Sequence, residues 1–110
     1  MNFWKKCIAN MSGESKGYKL APRARRDLAE IWRYTFETWS LAQADAYYGD
    51  IISTVQAIAS GRKRGKPIDQ IRRGYLTCSC GSHWIVYRHK GAQVVIIRIL
   101  HQRMNLSRHL

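Results

Sequence analysis

Two periods divide this chain. From Ala24 to Ala59 the apolar positions recur at helical spacing, and from Ile71 to Leu100 they recur at every second residue. Ala24, Leu28, Ile31, Trp32 and Thr35 make one stripe, with Arg25, Arg26, Glu30 and Arg33 pointing elsewhere, which predicts an amphipathic helix over about 22–38. Pro22 suits its first turn, where a missing N–H costs nothing. Ser40 followed by Gln43 has the form of a capping box and opens a second helix over about 41–60. Its stripe is Ala44, Tyr47, Tyr48, Ile51, Ile52, Val55, Ile58 and Ala59, and Gly61 is a natural stop. So short a connection makes the two helices an antiparallel hairpin.

The alternating half predicts three strands, 71–80, 82–89 and 93–100, joined by tight turns at Gly81 and at Lys90-Gly91-Ala92. The last is apolar on both faces, as expected of a strand inside a sheet. A short strand over 17–21 is its expected second neighbour. The architecture is then α+β, in the order β-α-α-β-β-β, with a helical hairpin packed on one face of a small, mostly antiparallel sheet and the other face left to basic residues. Residues 1–16 read as a tail of uncertain order and 17–110 as one domain; Met11 offers a second start.

Charge changes the picture. The formal net charge is +12, and residues 61–110 hold eight Arg and three Lys against Asp69 alone. Such asymmetry points to nucleic acid, to an acidic protein partner, or to both; a merely solubilising surface is the plain alternative. Three cysteines, two of them as Cys78-x-Cys80, make a poor disulfide framework and suit a reducing cytoplasm. Cys78, Cys80 and His83 lack a second ligand pair, so packed thiols are expected rather than a metal. No apolar run approaches the ~18 residues of a membrane span, and the N-terminus lacks the apolar core of a signal peptide.

Four stretches in order, "YKLAPRARRDLAEIWRYT", "IDQIRRGY", "HWIVYR" and "IIRILHQRMNLSRHL", resemble the ParE-type toxins of the RelE/ParE toxin–antitoxin superfamily, from Tyr18 to Leu110. Ala21 departs from the Ser often found there, at the cost of a helix cap, about 1 kcal/mol. The resemblance implies inhibition of DNA gyrase and a block to replication. It also implies a cognate acidic antitoxin, ParD-like or similar, that neutralises the toxin with an amphipathic helix and an extended segment. The superfamily's other branch cuts messenger RNA on the ribosome. That reaction needs a base, an acid and cations on the phosphate. His83, Tyr87, His89 and His101 are candidates for the first two, so composition alone leaves it open. The ParE pattern lacks the nuclease set, and non-enzymatic inhibition is the expectation, with no cofactor or metal and direct nucleic-acid contact secondary.

Gyrase-contact candidates are Arg72, Arg73, Tyr75, Arg88, Arg98, His101, Arg103 and Arg108. Antitoxin-binding candidates are Trp39, Leu41 and Tyr48, as exposed apolar residues flanking the hairpin, together with Arg98. The antitoxin seats as a helix in a groove or adds a strand at the sheet edge. Arg98 has a structural alternative, an ion pair with Asp27, Glu30, Glu37 or Asp69, because a guanidinium among apolar neighbours needs a partner. Trp32, Gly74 and His83 are expected to be structural, as core packing, a bulge or close approach in a strand, and a hydrogen-bonded histidine.

Overall fold

The computed structural model describes residues 14, 15 and 17–110. Strand β1 (Glu14–Ser15) is followed by β2 (Tyr18–Leu20), helix α1 (Pro22–Thr38), helix α2 (Leu41–Ala59), β3 (Lys66–Pro67), β4 (Leu76–Cys80), β5 (His83–Lys90), β6 (Gln93–His101) and a short helix α3 (Leu106–His109). Among the described residues the strands form one sheet in the order β1-β2-β6-β5-β4-β3. The β3–β6 meander is antiparallel, and β2 joins β6 in parallel. The rest of the expected tail lies outside the described residues.

Both helices run where their stripes place them. Ala21 precedes α1 without a side-chain cap. Ser40 Oγ accepts from the Gln43 N–H at 3.0 Å and so starts α2. The hairpin buries Ala24, Leu28, Tyr48, Ile51, Val55 and Ile58 against Leu76, Cys78, Cys80, Ile85, Tyr87, Val94, Ile96 and Ile99 of the sheet. Both thiols therefore pack, as expected, and Cys80 Sγ also accepts from Thr54 Oγ1 at 3.4 Å.

Three expectations need correction. The strand expected over 71–80 begins only at Leu76, because residues 68–75 are a turn closed by Ile68 N–H to Tyr75 O and Arg72 N–H to Ile68 O. Gly74 lies in that turn at φ +83°, which is where its lack of a Cβ is used; it is not a strand bulge. The bulge is in β6, where Tyr87 pairs with Ile96 but Val86 with Arg98. Ile97 is the extra residue, and it exchanges the faces of everything after it. Val94 and Ile96 face the hairpin, whereas Arg98 and Leu100 share the opposite face with Val86. Nor is that second face left to basic residues, since Val86, Val95 and Leu100 on it are buried.

Candidate functional site

β2 is only three residues long and pairs with β6 no further than Ile96, where Ala21 N–H bonds Ile96 O. Beyond that point, among the described residues, β6 has no strand on its outer side. The outward Ile99 N–H would be an unpaired sheet-edge donor, which is costly when buried. Asp27 of α1 fills the place: its Oδ2 accepts from Ile99 N–H at 3.0 Å. The same carboxylate takes a two-pronged bond from Arg98, Nε to Oδ2 at 2.7 Å and Nη2 to Oδ1 at 3.0 Å. Arg98 Nη1 reaches His109 O of α3 at 3.2 Å. One guanidinium thus joins the hairpin, the strand and the C-terminal helix, and the Asp27 hydrogen bond raises its already high pKa. The side chains of both partners are only 12% exposed. Arg98 is therefore a structural ion pair, not a free cation awaiting an antitoxin or gyrase carboxylate.

Above this edge runs a groove of about 580 Å³ between α1 and the end of β6. Ile31, Tyr34, Thr35 and Trp39 form its hairpin wall, Ile99 and Leu100 its floor, and Tyr47, His83, His101 and Met104 its far end. Its rim is aromatic and open: Trp39 is 73% exposed and Tyr34 66%. Leu41 is exposed just beyond Trp39, where α1 turns into α2. Trp39 and Leu41 thus stand as exposed apolar candidates, but Tyr48 does not. It is 2% exposed, turned into the core by its place on the α2 stripe. Trp32 is half-buried against the core, stacks on Phe36 at 5.3 Å between centroids, and donates from its indole N–H to Asp45 at 2.9 Å.

At the far end His83 Nδ1 and Tyr47 Oη are 2.6 Å apart. Tyr47 Oη also accepts from Ser82 N–H and lies 3.1 Å from Cys80 O. Burial pushes the phenol's pKa up. Burial, and then the positive charge available to His101, push the His83 pKa down to about 4. Both groups are neutral at pH 7 and hold the β4–β5 turn to α2, so His83 is the hydrogen-bonded structural histidine expected. His101 stands edge-on to His83 at 5.2 Å, and its Nδ1 accepts from Arg103 N–H.

The gyrase-contact candidates do not form one patch. Arg72, Arg73 and Tyr75 occupy the β3–β4 turn at one end of the sheet, with the Arg72 guanidinium 5.5 Å over the Tyr75 ring and its Nη1 bonded to Leu110 O. Arg88 is half-buried on the second face beside Val95. His101 and Arg103 are at the opposite end, and Arg108 is exposed on α3, whose start is capped by Asn105. Sequence reasoning missed Tyr34, Phe36 and Tyr47. The first two are aromatic residues on the polar side of the α1 stripe, and that displacement is the signal that could have found them.

A six-stranded sheet under a helical hairpin, with an open aromatic groove and a large positive charge, defines a small basic α+β protein. The sequence pattern of the family described as "ParE toxin of type II toxin-antitoxin system, parDE" matches residues 18–106, and the chain belongs to that family. It is 42% identical to Toxin ParE1 of Caulobacter vibrioides over 95 residues, covering 86% of this chain and 98% of that protein. It is 37% identical to Toxin ParE1 of Mycobacterium tuberculosis over 97 residues, covering 87% and 99%. A solved structure titled "Chromosomal ParDE TA system from P. aeruginosa" shares the fold, with a TM-score of 0.68 at 21% identity over 77% of this chain and 94% of that one.

Proposed function

We propose that this ParE toxin acts in the cytoplasm by binding DNA gyrase rather than by cleaving RNA, and that an acidic ParD-like antitoxin neutralises it. The observation that carries the non-catalytic reading is that the acid–base candidates are engaged within the fold or set apart from one another. His83 is tied to Tyr47 and poorly basic. Tyr87 is buried, with its hydroxyl accepting from Gly65 N–H at 2.7 Å. His89 stands beside Tyr87, six strand residues from His83, which is roughly 20 Å along β5. His101 stands 5.2 Å from His83, but its Nδ1 accepts from Arg103 N–H, and the guanidinium that lines the same groove, Arg98, is held by Asp27.

For the antitoxin, the open edge of β6 is already stoppered by Asp27 at its first outward donor. Little edge is left for an added strand, which favours a helix laid in the groove with its apolar side against Ile31, Tyr34 and Trp39. The net charge of +12 would speed capture of an acidic segment.

The test is supercoiling of relaxed plasmid by purified gyrase with added toxin, alongside ribosome-dependent cleavage of messenger RNA. Inhibited supercoiling that is relieved by the antitoxin, with messages left whole, is the expected result. Cut messages with gyrase unaffected would overturn it.

A further inference from the structure

The two ends of the molecule differ in kind. The α1–α2 connection, the β4–β5 turn and the end of β6 make the end that holds the groove. At the other end are the close of α2, the start of β2, and the turns 68–75 and 90–92; a Cβ on Gly17, just before β2, would lie 3.7 Å from the Ala59 Cβ. Here Arg62, Lys63, Arg64 and Lys66 follow α2, and Arg72 and Arg73 project from the next turn, all exposed. The one carboxylate in this stretch, Asp69, uses Oδ1 to accept from Gly74 N–H at 2.9 Å and so shapes the turn. Among the described residues none of the six cations is paired with a side-chain carboxylate, where such pairs are Arg33–Glu37 and Asp27–Arg98; Arg72 donates to Leu110 O and Arg62 to Ser60 Oγ.

The run is also held in place. Lys63 N–H bonds Ala57 O at the last turn of α2, and Gly65 N–H bonds Tyr87 Oη in the core. Gly65 is packed so close to Thr77 O that a Cβ would collide with it. The cations therefore project from an anchored backbone rather than from a free loop, which lowers the ordering cost of using them together.

We propose that this basic end binds the phosphate backbone of duplex DNA directly. The inference does not rest on gyrase as the target, because it concerns the toxin and DNA alone. An acidic protein would be the other occupant, but protein interfaces concentrate their energy in buried aromatic and apolar anchors. The exposed large apolar residues, Tyr34, Phe36, Trp39, Leu41 and Met104, lie on α1, at the α1–α2 turn and after β6, not here. Single-stranded nucleic acid would need open rings to stack on. Tyr75, the aromatic in the turn, is half-buried with its face under Arg72. What remains is charge without apolar anchors or stacking platforms, which is the chemistry of backbone contact to a duplex.

The test is fluorescence anisotropy of a labelled 20-base-pair duplex with the full chain, titrated across roughly 50–200 mM salt, where each phosphate contact contributes about 0.9 to the slope of log affinity against log salt. The triple variant Arg62→Gln, Lys63→Gln, Arg64→Gln should bind at least tenfold more weakly at 50 mM salt, with the slope reduced by about 2–3. Its melting curve should match the parent, because the changed side chains are exposed. A control triple on α1, Arg23→Gln, Arg25→Gln, Arg33→Gln, removes equal charge and should keep most of the slope. Equal losses in both triples would overturn the proposal by showing only a diffuse charge effect. Poly-glutamate of matched charge competing as well as unlabelled duplex would overturn it in favour of an acidic protein. Single strands binding more tightly than the duplex would also overturn it.

Discussion

Asp27 and Arg98 stand 71 residues apart and meet through two hydrogen bonds, the shorter of 2.7 Å. Asp27 does two jobs with one carboxylate, since it also closes the open edge of β6 at Ile99. Asp27→Ala should therefore be among the most damaging single changes, about 3 kcal/mol, because it strands both a buried guanidinium and a buried N–H. Asp27→Asn keeps an acceptor and should cost about half as much. Urea unfolding followed by circular dichroism reads both.

Acid should weaken the fold through His83. Its folded pKa, about 4, lies below the ordinary value of 6.5. As pH falls below 6.5 the unfolded chain takes up a proton that the folded one refuses. The stabilisation is thus complete above pH 6.5 and is lost as pH drops toward 4. An NMR titration should show His83 turning over near pH 4, and His83→Gln should flatten the dependence of melting temperature on pH between 6.5 and 4. A His83 midpoint near 6.5 would contradict this arrangement.

Trp39 and Tyr48 separate binding from stability. Trp39→Ala should leave the melting temperature within about a degree and weaken antitoxin binding about 30-fold, the weight of a central aromatic anchor. Tyr48→Ala should do the reverse, costing about 3–4 kcal/mol through the cavity it leaves under α2. Calorimetry of toxin–antitoxin mixing and thermal melts of the free toxin give the two readouts.

Tyr87→Phe should cost about 1 kcal/mol, because Gly65 N–H loses its acceptor while the ring's packing remains. Amide exchange at Gly65 and its neighbours should quicken more than exchange at β5 itself.

The helices were legible because their punctuation is local. Pro22, the Ser40–Gln43 pair and Gly61 mark ends that the structure places at Pro22–Thr38 and Leu41–Ala59. The meander was legible from its alternation, and the placing of β2 beside β6 from the two-sided apolar character of β6. What alternation could not reveal was where it stops carrying meaning. Residues 71–75 continue the pattern into what is a turn, because Asp69 and Gly74 close it by a side-chain bond that periodicity does not register. Counting in twos puts Arg98 on the face of Val94 and Ile96, and the extra residue at Ile97 defeats that count. The Asp27 partnership stood among several possible pairs, and only the length of β2 decides between them. Tyr48 and Trp39 are both aromatic residues near the hairpin turn, yet one falls on the α2 stripe and the other past the end of α1.

Ile97 has one more effect. Because it shifts β6 by a single step, the last stretch of the chain is phased oppositely to the first part of its own strand. Deleting Ile97 itself would straighten the strand and keep Arg98 and Ile99 on their present faces, whereas losing one residue elsewhere in β6 with the bulge kept would turn the side chains beyond the loss to the wrong layer. The bulge is thus a point where this strand can shorten by a single residue without turning inside out.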